Sequence, residues 1–271
     1  MGYDEPVKNK IKQSHIDIHV PIEGNTLLEK TLKLVNEDVE IETLWEIINV
    51  NAIYRLGMTD HGPVHFQIVS NISIKFVRML VAKGIQMSVT ENYELSSHYA
   101  ELIVLLTSLF HDLGMSINRE GHEEFSLFLA NTILHKILSF LPVKERTIVI
   151  SETLHAIISH RSGGHPLTLE GGIVRVSDAL DMNKGRSRIP YEAGQVDIHS
   201  VSAAAIEHVQ IRDGKDKPIQ INITMNNSAG LFQLDELLKK KIQGSGIEKY
   251  ISVRAFINQK TEKKLLKEYL L

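Results

Sequence analysis

The stretch 97-SHYAELIVLLTSLFHDLG-114 is the best single guide to the fold. Its residues from Leu102 to Phe110 leave almost no polar face, which predicts a helix buried on all sides. His111 and Asp112 follow at the end of that helix, and Gly114 allows the backbone to leave helical geometry there. The pattern predicts polar side chains held at the centre of a helical domain.

Helical spacing of apolar residues continues on both sides of this stretch. Pro63 can occupy the first turn of a helix that Gly84 ends, so His61 and His65 fall at or beside a helix start. Further helices are predicted as two segments between Thr26 and Leu56, and over Glu123–Leu138, Val143–Ser159 and Leu169–Met182. Residues 1–190 are therefore expected to form one all-helical domain.

After about Tyr191 the helical spacing gives way to alternation of apolar and polar residues. Ile206–Ile211 and Ile219–Met225 predict a hairpin around an Asp-Gly turn. The rest of this region is predicted to form a helix over Leu231–Ile242, a strand over Ile251–Ile257 and a helix capped by Thr261. The expected fold class is mainly α, with a helical bundle followed by a small α+β domain at 191–271.

Composition excludes several classes of site. The chain has 271 residues and no cysteine, so disulfides and zinc-thiolate centres are excluded and any metal must be held by nitrogen and oxygen. Acidic and basic residues are mixed at a net charge of −3, which argues against binding of duplex nucleic acid. The start of the sequence lacks the pattern of a signal peptide, and no stretch predicts a membrane span, so we expect a cytoplasmic protein with no membrane partner.

Histidines and carboxylates recur along the helical part at intervals that suit several helices converging on a divalent metal. Asp178 lies in an apolar helix, where a carboxylate is costly to bury unless a cation meets it. His155 lies five residues before His160 and is turned away from it, so His160 is favoured as the ligand and His155 as a supporting or core residue. Asp181 could cap a loop or support the site from outside.

In its order of residues the chain resembles the HD superfamily of metal-dependent phosphohydrolases. The resemblance covers about residues 55–185 and includes a His-x-x-x-Val run from His65 to Val69 and the context Val-x-x-Ser-Asp-Ala-Leu-Asp around Asp178. It implies a minimal site of His65, His111, Asp112 and Asp178. It also implies a second ion held by His122 and His160, as in the two-metal branch, with one or two divalent ions (Mn, Mg, Fe, Ni or Co) as cofactor.

Two departures separate this chain from the HD-GYP branch. Met115 stands where that branch has a lysine, and residues 161–166 replace its Gly-Tyr-Pro loop. The resemblance therefore does not imply cleavage of cyclic-di-GMP. It still implies the metal site and the type of reaction.

The expected reaction is hydrolysis of a phosphomonoester or phosphodiester, with a small anionic, nucleotide-like molecule as substrate. Asp112 and His122 are the expected catalytic residues, with Asp112 bridging the ions and orienting water. The expected substrate-binding residues are His61, Arg161, Lys184, Arg186 and Arg188. The alternatives are that His61 faces solvent in an Asp-His-Gly turn and that 184–188 is a solvated basic loop.

Two other functions stay open at this point. The same set of histidines and aspartates could hold the iron pair of a di-iron oxygenase, or belong to a catalytically silent nucleotide-sensing module. Lys239–Lys241 is interpreted as the solvated face of its helix, and the edges of the hairpin suggest strand pairing in a homodimer.

Overall fold

The computed structural model describes residues 16–161, 163–182, 202–258 and 268–270. Its helices in chain order are α1 Thr26–Asn36, α2 Val39–Asn49, α3 Pro63–Ala82, α4 Ser88–Tyr93, α5 Ser97–Phe110, α6 His122–Ile137, α7 Val143–Ser159 and α8 Leu169–Leu180. A π-helical segment, Val50–Arg55, continues α2, and a 3-10 turn, Leu113–Ser116, follows α5. The prediction of a mainly helical first part is confirmed, and α4 is an addition to it.

Capping side chains fix where several of these helices begin. The side chains of Asn25, Asp38 and Thr168 accept hydrogen bonds from the first N–H groups of α1, α2 and α8. These N–H groups have no partner inside their own helix, so an Asn, Asp or Thr at this position stabilises the start.

Helix α5 is the centre of the bundle, as its composition predicts. Every residue from Ala100 to Phe110 is buried, and the helix packs against α1, α3, α7 and α8. The buried carboxylate of Glu101 accepts hydrogen bonds from Arg78 and Asn25, which offset the cost of its burial. The C-terminal end of α5, which His111 follows, therefore lies between the surrounding helices.

The C-terminal part contains a sheet in the order β1-β2-β3-β4. Its strands are β1 Ile206–Asp213, β2 Ile219–Met225, β3 Ile251–Ile257 and β4 Glu268–Leu270. β1 and β2 are antiparallel, β2 and β3 are parallel, and β3 and β4 are antiparallel. The hairpin and the strand at Ile251 are confirmed, and pairing of the outer strand β1 with a second copy stays a prediction.

The helix between β2 and β3 packs onto the helical bundle. It consists of the π-helical segment Gln233–Lys239 and the α-helical turn Lys240–Ile242, together called α9, and it lies against α8. A Cβ at Gly172 of α8 would lie 2.0 Å from the carbonyl oxygen of Ser245, just beyond α9. Glycine at 172 therefore permits the close approach of the two parts.

Some expectations fall outside the described residues. These include the boundary near residue 190 and residues 259–267, where the helix capped by Thr261 was predicted. Glu268–Leu270, which is described, is a strand. Among the described helices, none has the length and apolar character that crossing a bilayer requires.

Candidate metal centre

Six side chains from separate parts of the bundle meet beside the end of α5. They are His65 of α3, His111 and Asp112 after α5, His122 at the start of α6, His160 at the end of α7 and Asp178 of α8. Their ligand atoms form three overlapping groups, within each of which all atoms lie within 4.8 Å of one another. The structure thus brings together the six residues predicted as metal ligands, and their occupation by an ion stays a prediction.

Asp112 lies between two pairs of imidazoles. Its Oδ1 is 3.1 Å from Nε2 of His122 and 3.8 Å from Nε2 of His160. Its Oδ2 is 3.6 Å from Nε2 of His111 and 4.0 Å from Nε2 of His65. Each carboxylate oxygen therefore faces a different pair, which is the arrangement a bridging ligand between two ions requires.

Asp178 faces the pair on one side of the centre. Its Oδ1 is 3.4 Å from Nε2 of His65 and 3.9 Å from Nε2 of His111. Its Oδ2 accepts a hydrogen bond of 2.8 Å from Nζ of Lys241. The two oxygens of this carboxylate thus have different neighbours, and Oδ1 is the one directed towards the imidazoles.

The second nitrogen of each of the four imidazoles is held by an acceptor. Nδ1 of His111 lies 3.0 Å from the carbonyl oxygen of Ser108, Nδ1 of His122 lies 3.0 Å from that of Arg119, and Nδ1 of His160 lies 2.6 Å from that of Ile157. Nδ1 of His65 lies 2.7 Å from the carboxylate of Asp181. A carbonyl or carboxylate oxygen only accepts, so these contacts favour a proton on Nδ1 of His65, His111 and His160. Nδ1 of His122 also lies 3.0 Å from Nη1 of Arg119, a donor, so its contacts do not fix the tautomer. In a neutral ring a proton on Nδ1 directs the lone pair of Nε2 into the centre, as metal-binding histidines require.

A close contact between two of these nitrogens tests whether the site suits a cation. Nε2 of His65 and Nε2 of His111 are 3.2 Å apart. With both protons on Nδ1, two lone pairs face each other, which is unfavourable unless a positive charge lies between or beside them. The donor set of imidazoles and carboxylates therefore fits a divalent ion with nitrogen and oxygen ligands.

Burial and neighbouring charges set the protonation of the centre. Burial lowers the pKa of His111 and of His160, which favours the neutral, ligand-competent ring. For His122, burial lowers the pKa but the hydrogen bond and charge of Asp112 outweigh it, so the net pKa is raised. Burial alone would raise the pKa of Asp112 and of Asp178. His111 and His122 lower the pKa of Asp112, and Lys241 and His65 lower that of Asp178, so both pKa values lie well below the usual range and both groups stay ionised.

The turn after α5 is fixed by contacts with the start of α6. Ser126 Oγ donates to the carbonyl of His111 and accepts from the N–H of Gly114. A Cβ at position 114 would lie 2.0 Å from the carbonyl oxygen of His122, so only glycine allows this approach. His111, Asp112 and His122 are thereby held in one rigid corner.

Asp181 and His155 take supporting positions. Asp181 contacts Nδ1 of His65, which agrees with the interpretation that it supports a ligand from outside the site. Nε2 of His155 accepts from the N–H of Leu167 at 2.8 Å, so this ring holds the loop after α7 and does not belong to the centre.

Of the five predicted substrate-binding residues, two are described by the structure and lie beside residues of the centre. The ring of His61 lies 5.8 Å from that of His65, with Nδ1 2.8 Å from the carbonyl oxygen of Thr59. Arg161 is 55% exposed and pairs with Glu123, which also contacts His122. Lys184, Arg186 and Arg188 lie outside the described residues. The role of all five in substrate binding stays a prediction.

Lys241 is the residue of this centre that sequence analysis missed. It was interpreted as part of a solvated helix face, and this is wrong, because its side chain is only 13% exposed and its Nζ contacts Asp178. Nζ also donates to the carbonyl of His160 at 2.7 Å. Its neighbours Lys239 and Lys240 do lie on the exposed side and pair within their own helix with Asp235 and Glu236.

Arg175 of α8 holds the helix that carries Lys241. It is 2% exposed and donates to backbone carbonyls on two sides: those of Arg161 and Gly164 in the loop after α7, and those of Lys240, Lys241 and Gln243 at the end of α9. A guanidinium offers five N–H donors in a fixed plane, which suits this role.

Comparison with known proteins gives one family and one close relative. The family model described as "HD domain" matches residues 80–183, a range that includes five of the six clustered residues and leaves out His65. An uncharacterized protein of Methanocaldococcus jannaschii is 42% identical over 221 residues, which is 81% of this chain and 85% of that protein. No solved structure matches.

Proposed function

The chain belongs to the HD superfamily, and from this membership and the geometry of its centre we propose that it is a metal-dependent phosphohydrolase. The observation that carries the proposal is the convergence of four imidazole Nε2 atoms on the carboxylates of Asp112 and Asp178.

The centre offers two overlapping sets of ligands. As the resemblance to the family implies, His65, His111, Asp112 and Asp178 would hold one ion. Asp112, His122 and His160, one of the three groups of close ligand atoms, would hold a second. A divalent ion bound in such a set lowers the pKa of a coordinated water and offsets negative charge on a phosphate ester.

The chain's own residues orient this chemistry. Asp112 keeps its two oxygens directed to different imidazole pairs, so it can orient a nucleophilic water between them. Nε2 of His122 lies 3.1 Å from Oδ1 of Asp112, and although burial lowers the pKa of His122, the hydrogen bond and the charge of Asp112 raise it overall. With one ion at the His65 side, His122 would be placed to pass a proton to or from a reacting oxygen. With a second ion bound, its Nε2 would be a ligand instead.

The substrate we propose is a small anionic phosphate ester, nucleotide-like in character. Arg161 lies at the edge of the centre with an exposed side chain, and its partner Glu123 touches His122. The side chain of Arg161 is 55% exposed, whereas that of Glu123 is only 5% exposed. The guanidinium has five N–H donors, so it can contact a substrate phosphate from the solvent side while it keeps its pair with Glu123.

The proposal is tested by the activity and the metal content of the purified protein. The chelator-treated protein is loaded with Mn²⁺, Mg²⁺, Ni²⁺, Co²⁺ or Fe²⁺ and assayed with an aryl phosphate and a panel of nucleotides and cyclic nucleotides. We expect hydrolysis that requires the metal and is lost in Asp112→Ala.

Two other outcomes would replace the proposal. Oxygen consumption by the iron-loaded protein without phosphate release would indicate an oxygenase. Tight nucleotide binding at full metal occupancy, with no turnover of any substrate, would indicate a sensing module.

A further inference from the structure

We propose that Lys241, carried by the C-terminal α9, is the residue that binds the substrate's phosphate oxygen at this centre. The inference rests on the proposed function, because it assigns a role to a cation of the same site. It also makes the C-terminal part of the chain a component of the active site.

The position of the ammonium group is the first argument. Nζ of Lys241 donates to Oδ2 of Asp178 and to the carbonyl oxygen of His160, so it lies between two residues of the predicted ligand set. Oδ1 of Asp178, the oxygen nearer His65 and His111, is not the one that the lysine contacts. The lysine and a metal ion can therefore share this carboxylate.

The unused donor capacity of Lys241 is the second argument. An ammonium has three N–H donors, and two of them are engaged by Asp178 and His160 within the described residues. The side chain of Lys241 is 13% exposed, so the described residues do not enclose it fully. A phosphate oxygen is the acceptor that a third N–H at a metal centre suits best.

Stability alone does not explain this lysine. A largely buried ion pair gives little net stability, because desolvation of both charges offsets their attraction. Lys239 and Lys240, next in sequence, form ordinary pairs on the surface of α9. Lys241 instead reaches from α9 to Asp178 of α8. Arg175 donates to the backbone carbonyls of Lys240 and Lys241 and thereby holds the lysine in this position.

The test uses inorganic phosphate as the probe and does not depend on turnover. Binding of phosphate to the full-length, Mn²⁺-loaded protein is measured by calorimetry for the wild type, Lys241→Met, Lys241→Arg and the control Lys240→Met. We expect Lys241→Met to weaken phosphate binding about tenfold to a hundredfold, since a charge-assisted hydrogen bond is lost. Lys241→Arg should recover part of this loss, and Lys240→Met should bind as the wild type does.

A second measurement separates substrate binding from a structural role. Mn²⁺ affinity should not fall in Lys241→Met, because removing a nearby positive charge favours the binding of a cation. With an aryl phosphate, the loss should appear mainly in KM. Should the variant fold poorly by circular dichroism, Lys241→Gln, which keeps a donor for His160, takes its place with the same expected loss.

The outcomes distinguish this inference from the proposed function. Wild-type phosphate affinity in Lys241→Met, or no phosphate binding by the metal-loaded wild type, would overturn the inference. Phosphate binding that depends on Lys241 in a protein without hydrolytic activity would support the inference and contradict the proposed function.

Discussion

The two sides of the metal centre are built from contacts of very different range. The rings of His111, His122 and His160 are each oriented by the carbonyl three residues earlier in the chain. Lys241, by contrast, lies 63 residues from Asp178 and 81 residues from His160. Three of the four imidazoles are thus oriented by local contacts at helix ends, whereas His65 is oriented by the distant Asp181. The lysine is positioned by the packing of two parts of the molecule.

Because the contacts differ in range, the ligand side and the lysine side depend on different parts of the fold. Local contacts orient His111, His122 and His160 wherever their helices lie, so these three ligands need only that the helix ends meet. The lysine side needs α9 to stay on α8, which depends on Arg175 and on the close approach at Gly172. We therefore expect substitutions on the ligand side to change metal binding and those on the other side to change stability and substrate binding.

The largest effect is expected at Asp112, which faces both imidazole pairs. Asp112→Asn keeps the shape of the side chain but removes the charge that both pairs share, so the phosphatase rate should fall by about a thousandfold or more. Metal content, measured by atomic emission, should fall with it. His155→Gln, which alters a histidine on α7 outside the centre, is the control and should keep its metal. Full metal content and full activity in Asp112→Asn would contradict the ligand assignment.

The next largest effect is a loss of stability at Arg175, which holds α9 on the lysine side of the centre. Arg175→Met leaves several buried carbonyls without a donor, so the free energy of unfolding should fall by about 3 kcal/mol. Urea denaturation measures this change. Lys33→Met is the control, because its pair with Glu37 is exposed on both sides and should contribute less than about 1 kcal/mol. Equal losses in the two variants would mean that Arg175 does not hold α9 in place.

A smaller effect is expected where a carboxylate supports a ligand from outside. Asp181→Asn keeps a hydrogen-bond acceptor for Nδ1 of His65 but removes its charge, so metal affinity should fall about tenfold to a hundredfold. Competition with a fluorescent chelator measures the affinity. An unchanged affinity, with the fold intact by circular dichroism, would show that the orientation of His65 does not depend on the charge of Asp181.

The dependence of stability on pH gives the smallest effect and tests the ligand side alone. Burial lowers the pKa of His111 and His160 from 6.5, so the unfolded chain binds protons more strongly and stability falls as the pH drops below about 6.5. The pKa of His122 is raised, because Asp112 outweighs burial, so its contribution is present below about 6.5 and is lost as the pH rises through the folded value.

Chelator-treated protein should therefore be most stable near pH 6.5, with each group contributing at most about 1.4 kcal/mol per pH unit. Urea denaturation between pH 5 and 9 measures the profile. Added Mn²⁺ should shift the maximum to higher pH, because protons and metal compete for the same nitrogens. A steady rise of stability through the whole range would show that His122 is not protonated as described.

The sequence was most informative where chemistry and helix periodicity coincide. The all-round apolar run before His111 predicted the central helix. The carboxylate in the apolar α8 predicted a cation near Asp178, with a metal as its natural partner. The cation that the structure shows there is Lys241, and the metal stays a prediction. α4 was missed, because Ser88–Tyr93 is short and has little apolar periodicity. The helix over Leu231–Ile242 was predicted, but its π-helical form was not.

Lys241 could not be distinguished from its neighbours by sequence. All three lysines of Lys239–Lys241 have the same chemistry, and only the position of α9 against α8 separates the buried one from the exposed pair. A periodicity signal was nevertheless present. In a regular helix each residue turns by about 100°, so adjacent lysines cannot all lie on one solvated face.

The parallel pairing of β2 and β3 restricts where the helix that carries Lys241 can lie. Parallel neighbours cannot be joined by a tight turn, so the chain between Met225 and Ile251 must return across the sheet, and α9 lies in that return path. Both ends of this path lie in strands that pair with each other, so the position of α9, and with it that of Lys241 beside Asp178, is tied to the sheet from both directions. A substitution that separated β2 from β3 would therefore displace the lysine without touching any of the predicted ligands.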